Sequence, residues 1–262
     1  MLRAFSTSAT GMTAQQQIVD VIANNLANIN TNGFKRSQMD FQDLMYVKLQ
    51  RAGTEIESGT NLPTGMEIGS GVKAASTLKV FSAGELENTD RDLDVAIQGD
   101  GFFQVTMTDG SKRYTRDGSL RIDSGGNLVT ASGYKLDPAI TIPADWTSIS
   151  VGRDGTVSVM TPGASTPSTV GQIQLARFAN PSGLSSEGGN LYVETEGSGT
   201  ASVGTPGDSG LGSLEQGSLE KSNVQMVHEL VRLITAQRAY EINSRAIKAG
   251  DEMLTTANQL IN

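Results

Sequence analysis

The sequence contains no cysteine, which excludes disulfide bridges, thiolate zinc sites, iron–sulfur clusters and cysteine nucleophiles together. His228 is the single histidine, so imidazole chemistry has little to work with. Basic residues are in deficit, with 20 Lys and Arg against 28 Asp and Glu and a formal charge of −8 at pH 7. Phosphate binding needs clustered cations, and no basic stripe occurs, so neither nucleic acid nor an anionic membrane surface is an expected partner. No apolar run approaches the ~20 residues of a membrane-spanning helix, and membrane insertion is not expected. The opening residues Met1 to Thr7 lack the unbroken apolar core of a secretory signal, which leaves a cytoplasmic location or export by a route that removes nothing. Aromatic residues make up only 5% of the chain while glycines number 30, a balance of many turns and few bulky core side chains.

The motifs that mimic chemistry are incomplete. Asp90, Asp92 and Asp94 imitate the start of a calcium loop, but Val95 stands at the required glycine and Gly101 at the bidentate glutamate. Ser70-Gly71-Val72-Lys73 fits the loose S-x-x-K pattern of serine acyl enzymes without its companion motifs. No phosphate-binding glycine loop, nucleophile elbow or metal-ligand cluster is evident. No catalytic residue, cofactor or metal is expected, and the chain reads as a non-enzyme.

What is present is a heptad spacing at both ends. Leu2, Phe5, Met12, Val19 and Leu26 share one helix face near the start, with Phe5, Met12, Val19 and Leu26 seven apart. Met226, Leu233, Tyr240, Ile247, Leu254 and Ile261 repeat at seven near the end, as in a coiled-coil seam. A first helix of about 28 residues would be roughly 42 Å long. Asn32-Gly33 marks the expected turn out of it. The last helix is expected to begin near Ser222, whose spacing to Gln225 is that of a capping box. Its second seam line, Leu230, Gln237, Ser244, Asp251 and Asn258, is polar beyond the first turns. Two readings of these ends stay open: an antiparallel hairpin within one molecule, or a seam completed by neighbouring copies.

Between the ends the pattern changes. Arg51 to Gly71 has no sustained period, and Pro63 with repeated glycines excludes a helix, so an extended arm or long loop is expected. From Val72 to Val193, short alternating segments are separated by Asp109-Gly110, Asp117-Gly118, Gly125-Gly126 and Asp154-Gly155, which predict antiparallel hairpins. Ile149, Val151, Val157 and Val159 alternate around the last of these. A Gly/Ser/Thr-rich stretch from Gly197 to Gly217 has linker composition. The expected fold is α+β, with the N- and C-terminal helices forming a coiled-coil-like inner domain. The boundaries are 1–45 for the N-terminal helical part, 46–75 for the arm, 76–216 for an antiparallel β-rich outer domain, and 217–262 for the C-terminal helical part.

The stretch Ala23-Asn24-Asn25-Leu26-Ala27-Asn28-Ile29-Asn30-Thr31-Asn32-Gly33-Phe34-Lys35-Arg36 resembles the N-terminal signature of bacterial flagellar rod and hook proteins. Ser222-Asn223-Val224, Glu229-Leu230 and Gln237-Arg238-Ala239-Tyr240-Glu241-Ile242-Asn243-Ser244 are similar to the matching C-terminal signature. Asp94 to Ile97, Gly101-Phe102-Phe103 and Tyr114 to Gly118 are similar to that family's β domain. Met226-Val227-His228 departs from the pattern, where smaller or acidic residues are usual. Within the family, the length and the segment from Phe41-Gln42-Asp43-Leu44 to Leu62 and Val72 resemble subunits of the distal rod, whereas hook proteins are usually longer and lack the arm. The proximal rod and other hook–basal-body axial subunits share the termini and the β domain.

The resemblance implies a structural subunit that polymerises with itself into a rigid hollow shaft carrying torque from motor to hook, spanning the periplasm towards the outer membrane. It further implies neighbouring rod and hook proteins, surrounding ring proteins and the flagellar type III export apparatus as partners. A reading from a different class is a secreted β-rich carbohydrate-binding protein or enzyme on a helical-hairpin stalk.

Overall fold

A computed structural model describes residues 2–51, 55–57, 60–61, 63–163 and 166–261. The chain is α+β, with a long helix near each end and a β-rich middle. It divides into two compact units. One is assembled from the segments up to Leu26, Ser37–Leu78 and from Met226 onward, the other from Ala27–Arg36 and Lys79–Gln225.

In the helical unit, α1 spans Leu2–Ala27 and α2 spans Met226–Ile261. At 1.5 Å per residue they are about 39 and 54 Å long. They run antiparallel: Asn25 reaches Glu229, Gly11 lies against Asn243, and Phe5 against Gly250. α2 begins four residues after Ser222 rather than directly behind it. The Ser222 hydroxyl instead accepts from the Val224 N–H at 3.3 Å, closing a local turn ahead of the helix. Such short side chains serve turns as readily as caps, and the sequence pattern does not separate the two uses. Among the described residues, no helix is long and apolar enough to cross a membrane.

The same unit contains a β ribbon. Ser37–Asp43 pairs with Val72–Lys79, Val47–Gln50 with Met66–Ile68, and Glu55–Glu57 with Thr60–Asn61. The segment read as an arm or loop thus forms short ladders, with register shifts in the latter two. Met45, Tyr46, Leu49, Met66 and Ile68 are all exposed on it, Met45 to 87%.

The β unit is organised around Phe102–Thr106, whose first four residues are all buried. One edge of this strand pairs with Lys112–Thr115; the other is shared, with Phe102 and Phe103 opposite Ala176 and Leu175, and Val105 and Thr106 opposite Leu136 and Lys135. Alternation then sends Phe103 and Val105 into a core with Leu120, Leu128, Leu136, Ile140, Val157 and Leu175. Phe102 turns into a second cluster with Tyr114, Ala176, Phe178, Leu184 and Tyr192. Its rings meet edge to face, Tyr114 and Phe178 with centroids 4.7 Å apart, the geometry aromatic quadrupoles favour. Both faces of the central strand are covered, which is why the adjacent Phe102 and Phe103, pointing to opposite faces, are both buried.

Three of the four predicted turn dipeptides close hairpins. Asp109-Gly110, Gly125-Gly126 and Asp154-Gly155 each lie between strands paired with one another, and Ile149 and Val151 stand opposite Val159 and Val157. Asp117-Gly118 does not. Asp117 Oδ1 accepts from both the N–H and the hydroxyl of Ser119, and the Gly118 carbonyl accepts from the Val95 N–H at 3.0 Å. Gly118 is required for space rather than for a positive φ: an added Cβ would lie 1.7 Å from the Val95 oxygen.

Candidate assembly site

The helix pair is built on small residues. On α2 the buried and half-buried line is Glu229, Ala236, Asn243, Gly250 and Ala257, a strict seven-residue spacing one position before the expected companion line. Leu230, Gln237 and Asp251 are exposed, Ser244 is half-buried, and the side chain of Asn258 lies outside the described residues. No period of large apolar side chains marks this line, because its small side chains instead allow close backbone approach. Opposite it, α1 turns in Gly11, Ala14, Ile18, Ile22 and Asn25. An added Cβ at Gly250 would lie 2.8 Å from the Phe5 ring, and one at Gly11 2.9 Å from the Asn243 amide.

The heptad residues themselves flank this contact. Phe5, Met12, Val19, Leu26, Leu233, Ile247 and Leu254 are half-buried, while Met226 and Tyr240 are exposed. The side chains of Leu2 and Ile261 lie outside the described residues. On the far side of α2, Val227, Val231, Ile234 and Ile242 share one face in steps of four, three and eight. All are more than half exposed, Val227 to 72%. Gln237 and Arg238 are also exposed, and Ala239 is half-buried.

At the closed end of the pair, Asn25 is fully buried. Its amide nitrogen donates to the Ser37 carbonyl at 2.9 Å and to Glu229 at 3.4 Å, and its amide oxygen accepts from the Ser37 N–H at 2.8 Å. One signature asparagine therefore ties the ribbon to α1 and meets the buried carboxylate of α2. Asn24 and Ala27 are exposed, Asn28 and Asn32 half-buried.

The rest of the N-terminal signature belongs to the β unit. Gly33 takes φ +67° and donates its N–H to the Glu220 carbonyl at 2.8 Å. An added Cβ there would sit 2.7 Å from the Arg116 backbone. Arg36 donates its N–H to Asn223 Oδ1 at 2.8 Å and accepts from the Val80 N–H at 3.0 Å, while Asn223 Nδ2 donates to the Val80 carbonyl at 2.8 Å. Residues 33–36, 79–84 and 218–223 are thus stitched together.

Inside this knot lies a fully buried ion cluster. Lys35 Nζ is 2.5 Å from Glu220 Oε1 and 2.7 Å from the Ser82 carbonyl, and the Gly84 N–H donates to the same Oε1 at 2.9 Å. Arg116 Nη1 donates to Glu220 Oε2 at 3.3 Å. Burial pushes the Lys35 ammonium below the ordinary lysine value, an effect opposed by Glu220 and reinforced by Arg116. The family signatures carry Lys35 and Arg116, but Glu220 lies 185 residues beyond Lys35, and no local pattern pairs them. The residues read as mimics of chemistry are structural: Asp94 accepts from the Thr89 hydroxyl, Ser70 donates to the Met45 carbonyl, and His228 is exposed.

The aromatic cluster beside the knot has a pH signature. Burial raises the Tyr114 and Tyr192 hydroxyls from 10.0 to about 12, with nearby Glu194 adding to the effect on Tyr114. Unfolded tyrosine loses its proton near pH 10, so between pH 10 and 12 the folded state binds more protons and stability falls as pH rises. Lys35 and Lys79, both lowered by burial, act in the opposite sense, and their contribution is complete above 10.5. Ultraviolet titration should therefore show two tyrosines ionising near 12 or only on unfolding, with denaturation midpoints falling between pH 10.5 and 12. Simple titration of every tyrosine near 10 would contradict this.

Long helices packed through small residues, an apolar face left in solvent, and a β unit locked by internal charges define a structural assembly subunit. Residues 5–35 match the description "Flagella basal body rod protein", residues 96–159 "Flagellar hook protein FlgE/F/G D1 domain", and residues 215–260 "Flagellar basal body rod FlgEFG protein C-terminal". The flagellar basal-body rod protein FlgG of Borreliella burgdorferi is 49% identical over 262 residues, covering 99% of each chain. FlgG of Bacillus subtilis is 40% identical over 270 residues, covering 100% of this chain and 99% of its own. The flagellar hook-basal body complex protein FlhP of Bacillus subtilis is 33% identical over 273 residues, with 99% and 100% covered. The chain belongs to the flagellar basal-body rod family. It is a structural, non-enzymatic component of the basal body.

Proposed function

We propose that this chain polymerises into the flagellar distal rod, a rigid hollow drive shaft that passes through the periplasm and transmits torque from motor to hook. The observation that carries this reading is the apolar stripe Val227, Val231, Ile234 and Ile242 on α2, left exposed beside the paired helices. Monomeric proteins rarely expose contiguous apolar patches larger than a few hundred Å². In the polymer, α1 and α2 of many copies form a coiled-coil-like inner layer around the channel, with Leu2, Phe5, Met12, Val19, Leu26, Met226, Leu233, Tyr240, Ile247, Leu254 and Ile261 at its contacts. The β-rich residues 76–216 lie outside. The arm at 46–75 cross-links neighbours and suppresses bending through its exposed Tyr46, Leu49, Met66 and Ile68. Neighbouring rod and hook proteins cap the shaft, ring proteins surround it, and the type III apparatus delivers the subunits.

Leu233→Asp or Tyr240→Asp is expected to abolish polymerisation, read by electron microscopy and sedimentation, while the β unit keeps its near-ultraviolet dichroism. Filaments of wild-type length and stability from either variant would sink the assignment of these contacts.

A further inference from the structure

The buried ion cluster does not balance. Lys35 and Arg116 are both almost wholly buried, and among the described residues Glu220 is the one carboxylate that meets them. Half-buried Lys79 adds a third cation, its Nζ 5.1 Å over the Phe34 ring and 5.9 Å over that of Tyr192. Among the described residues, no carboxylate lies within ion-pairing distance of Lys79 or Arg177. Arg116 Nε is moreover buried without an acceptor. A surplus buried cation and an unmet donor are both costly, so this region favours an anion.

Arg116 and Arg177 line a cavity of about 170 Å³, walled by Phe81, Phe102 and Phe178. Arg177 is exposed and is held by donating to the Ser209 carbonyl at 3.2 Å. Arg116 rests 5.4 Å from the Phe102 ring, a cation–π contact that offsets part of its burial. Two arginines and three phenylalanines around one small cavity suit a carboxylate on a short aliphatic stem. Asp100 also lines the cavity, but its exposed carboxylate pairs with neither arginine.

We propose that this cavity is a carboxylate-binding pocket that receives an Asp or Glu side chain of a second copy of the chain. The volume admits a side chain rather than a folded element. A chain with eight more acidic than basic residues offers the complementary group in abundance. The occupant rests on the polymerisation proposed above; the pocket does not.

The test uses the full monomeric chain, labelled with nitrogen-15 and titrated with acetate against chloride at matched ionic strength. The Arg116 Nε–H resonance should shift saturably. Arg177→Gln should weaken acetate binding about tenfold, as expected for loss of a charged hydrogen bond, and Asp100→Asn should strengthen it. In assembly, Arg177→Glu and excess acetate should each slow polymerisation about tenfold. Absence of a saturable shift would mean that the cavity holds only water, and would overturn the pocket. A saturable shift with wild-type assembly of Arg177→Glu would overturn the second copy as occupant in favour of a free small carboxylate. If the unaltered chain fails to polymerise at all, the rod reading falls, while the acetate titration still decides the pocket.

Discussion

Glu220→Ala is expected to destabilise the β unit by about 3–5 kcal/mol, because it leaves the cations of Lys35 and Arg116 buried without their carboxylate. The loss has three sources in one side chain: the Lys35 ion pair, the Arg116 contact and the acceptor for the Gly84 N–H. Urea denaturation followed by the fluorescence of Trp146, the single tryptophan, measures it. Replacing Lys35, Arg116 and Glu220 together by apolar residues of similar length should recover most of the stability, since a removed charge need not be desolvated. A Glu220→Ala unfolding free energy within about 1 kcal/mol of wild type would show that water or another group compensates the cations. The knot would then be held by its backbone hydrogen bonds alone.

Gly118→Ala should be at least as damaging, with a loss of about 4 kcal/mol or more, at the rare severe end for a single methyl group. The added carbon would lie 1.7 Å from the Val95 carbonyl oxygen and 3.3 Å from the Phe103 ring, and neither is the free end of a flexible side chain. Relief requires separating two backbones joined by the Val95 to Gly118 hydrogen bond, within a core where Val95 and Phe103 are essentially inaccessible. Gly110→Ala is the informative control. Gly110 has φ +81° but open space around its Cβ position, so its loss should be limited to the about 1–2 kcal/mol of a left-handed L-residue. Equal losses for the two variants would show that the strand pair relaxes around the methyl group.

Much of this architecture was legible in the residue pattern. Periodicity located both helices, and the turn dipeptides located three hairpins, because each signal is local: a helix face repeats within a few residues and a tight turn within two. The failures share a cause. Asp117-Gly118 has the composition of a hairpin turn, yet its glycine answers to Val95, more than twenty residues earlier. Ser222 has the spacing of a cap, yet the helix starts at Met226. The buried line of α2 has no local signal, because Glu229, Ala236, Asn243 and Gly250 do not look like a core until α1 is placed against them.

The sequence by itself determined the absence of thiol chemistry, the acidic surface, the α+β order of elements and, through the two terminal signatures, the family. These follow from composition and local pattern, which survive without knowledge of distant contacts. The tertiary structure alone decided which side of each helix is buried, that Asn25 meets Glu229, and that Lys35, Arg116 and Glu220 form one buried cluster. Those residues are separated by 81 to 204 positions. A charge becomes a lock, and a small residue becomes a seam, only when folding removes water from between groups the chain keeps far apart.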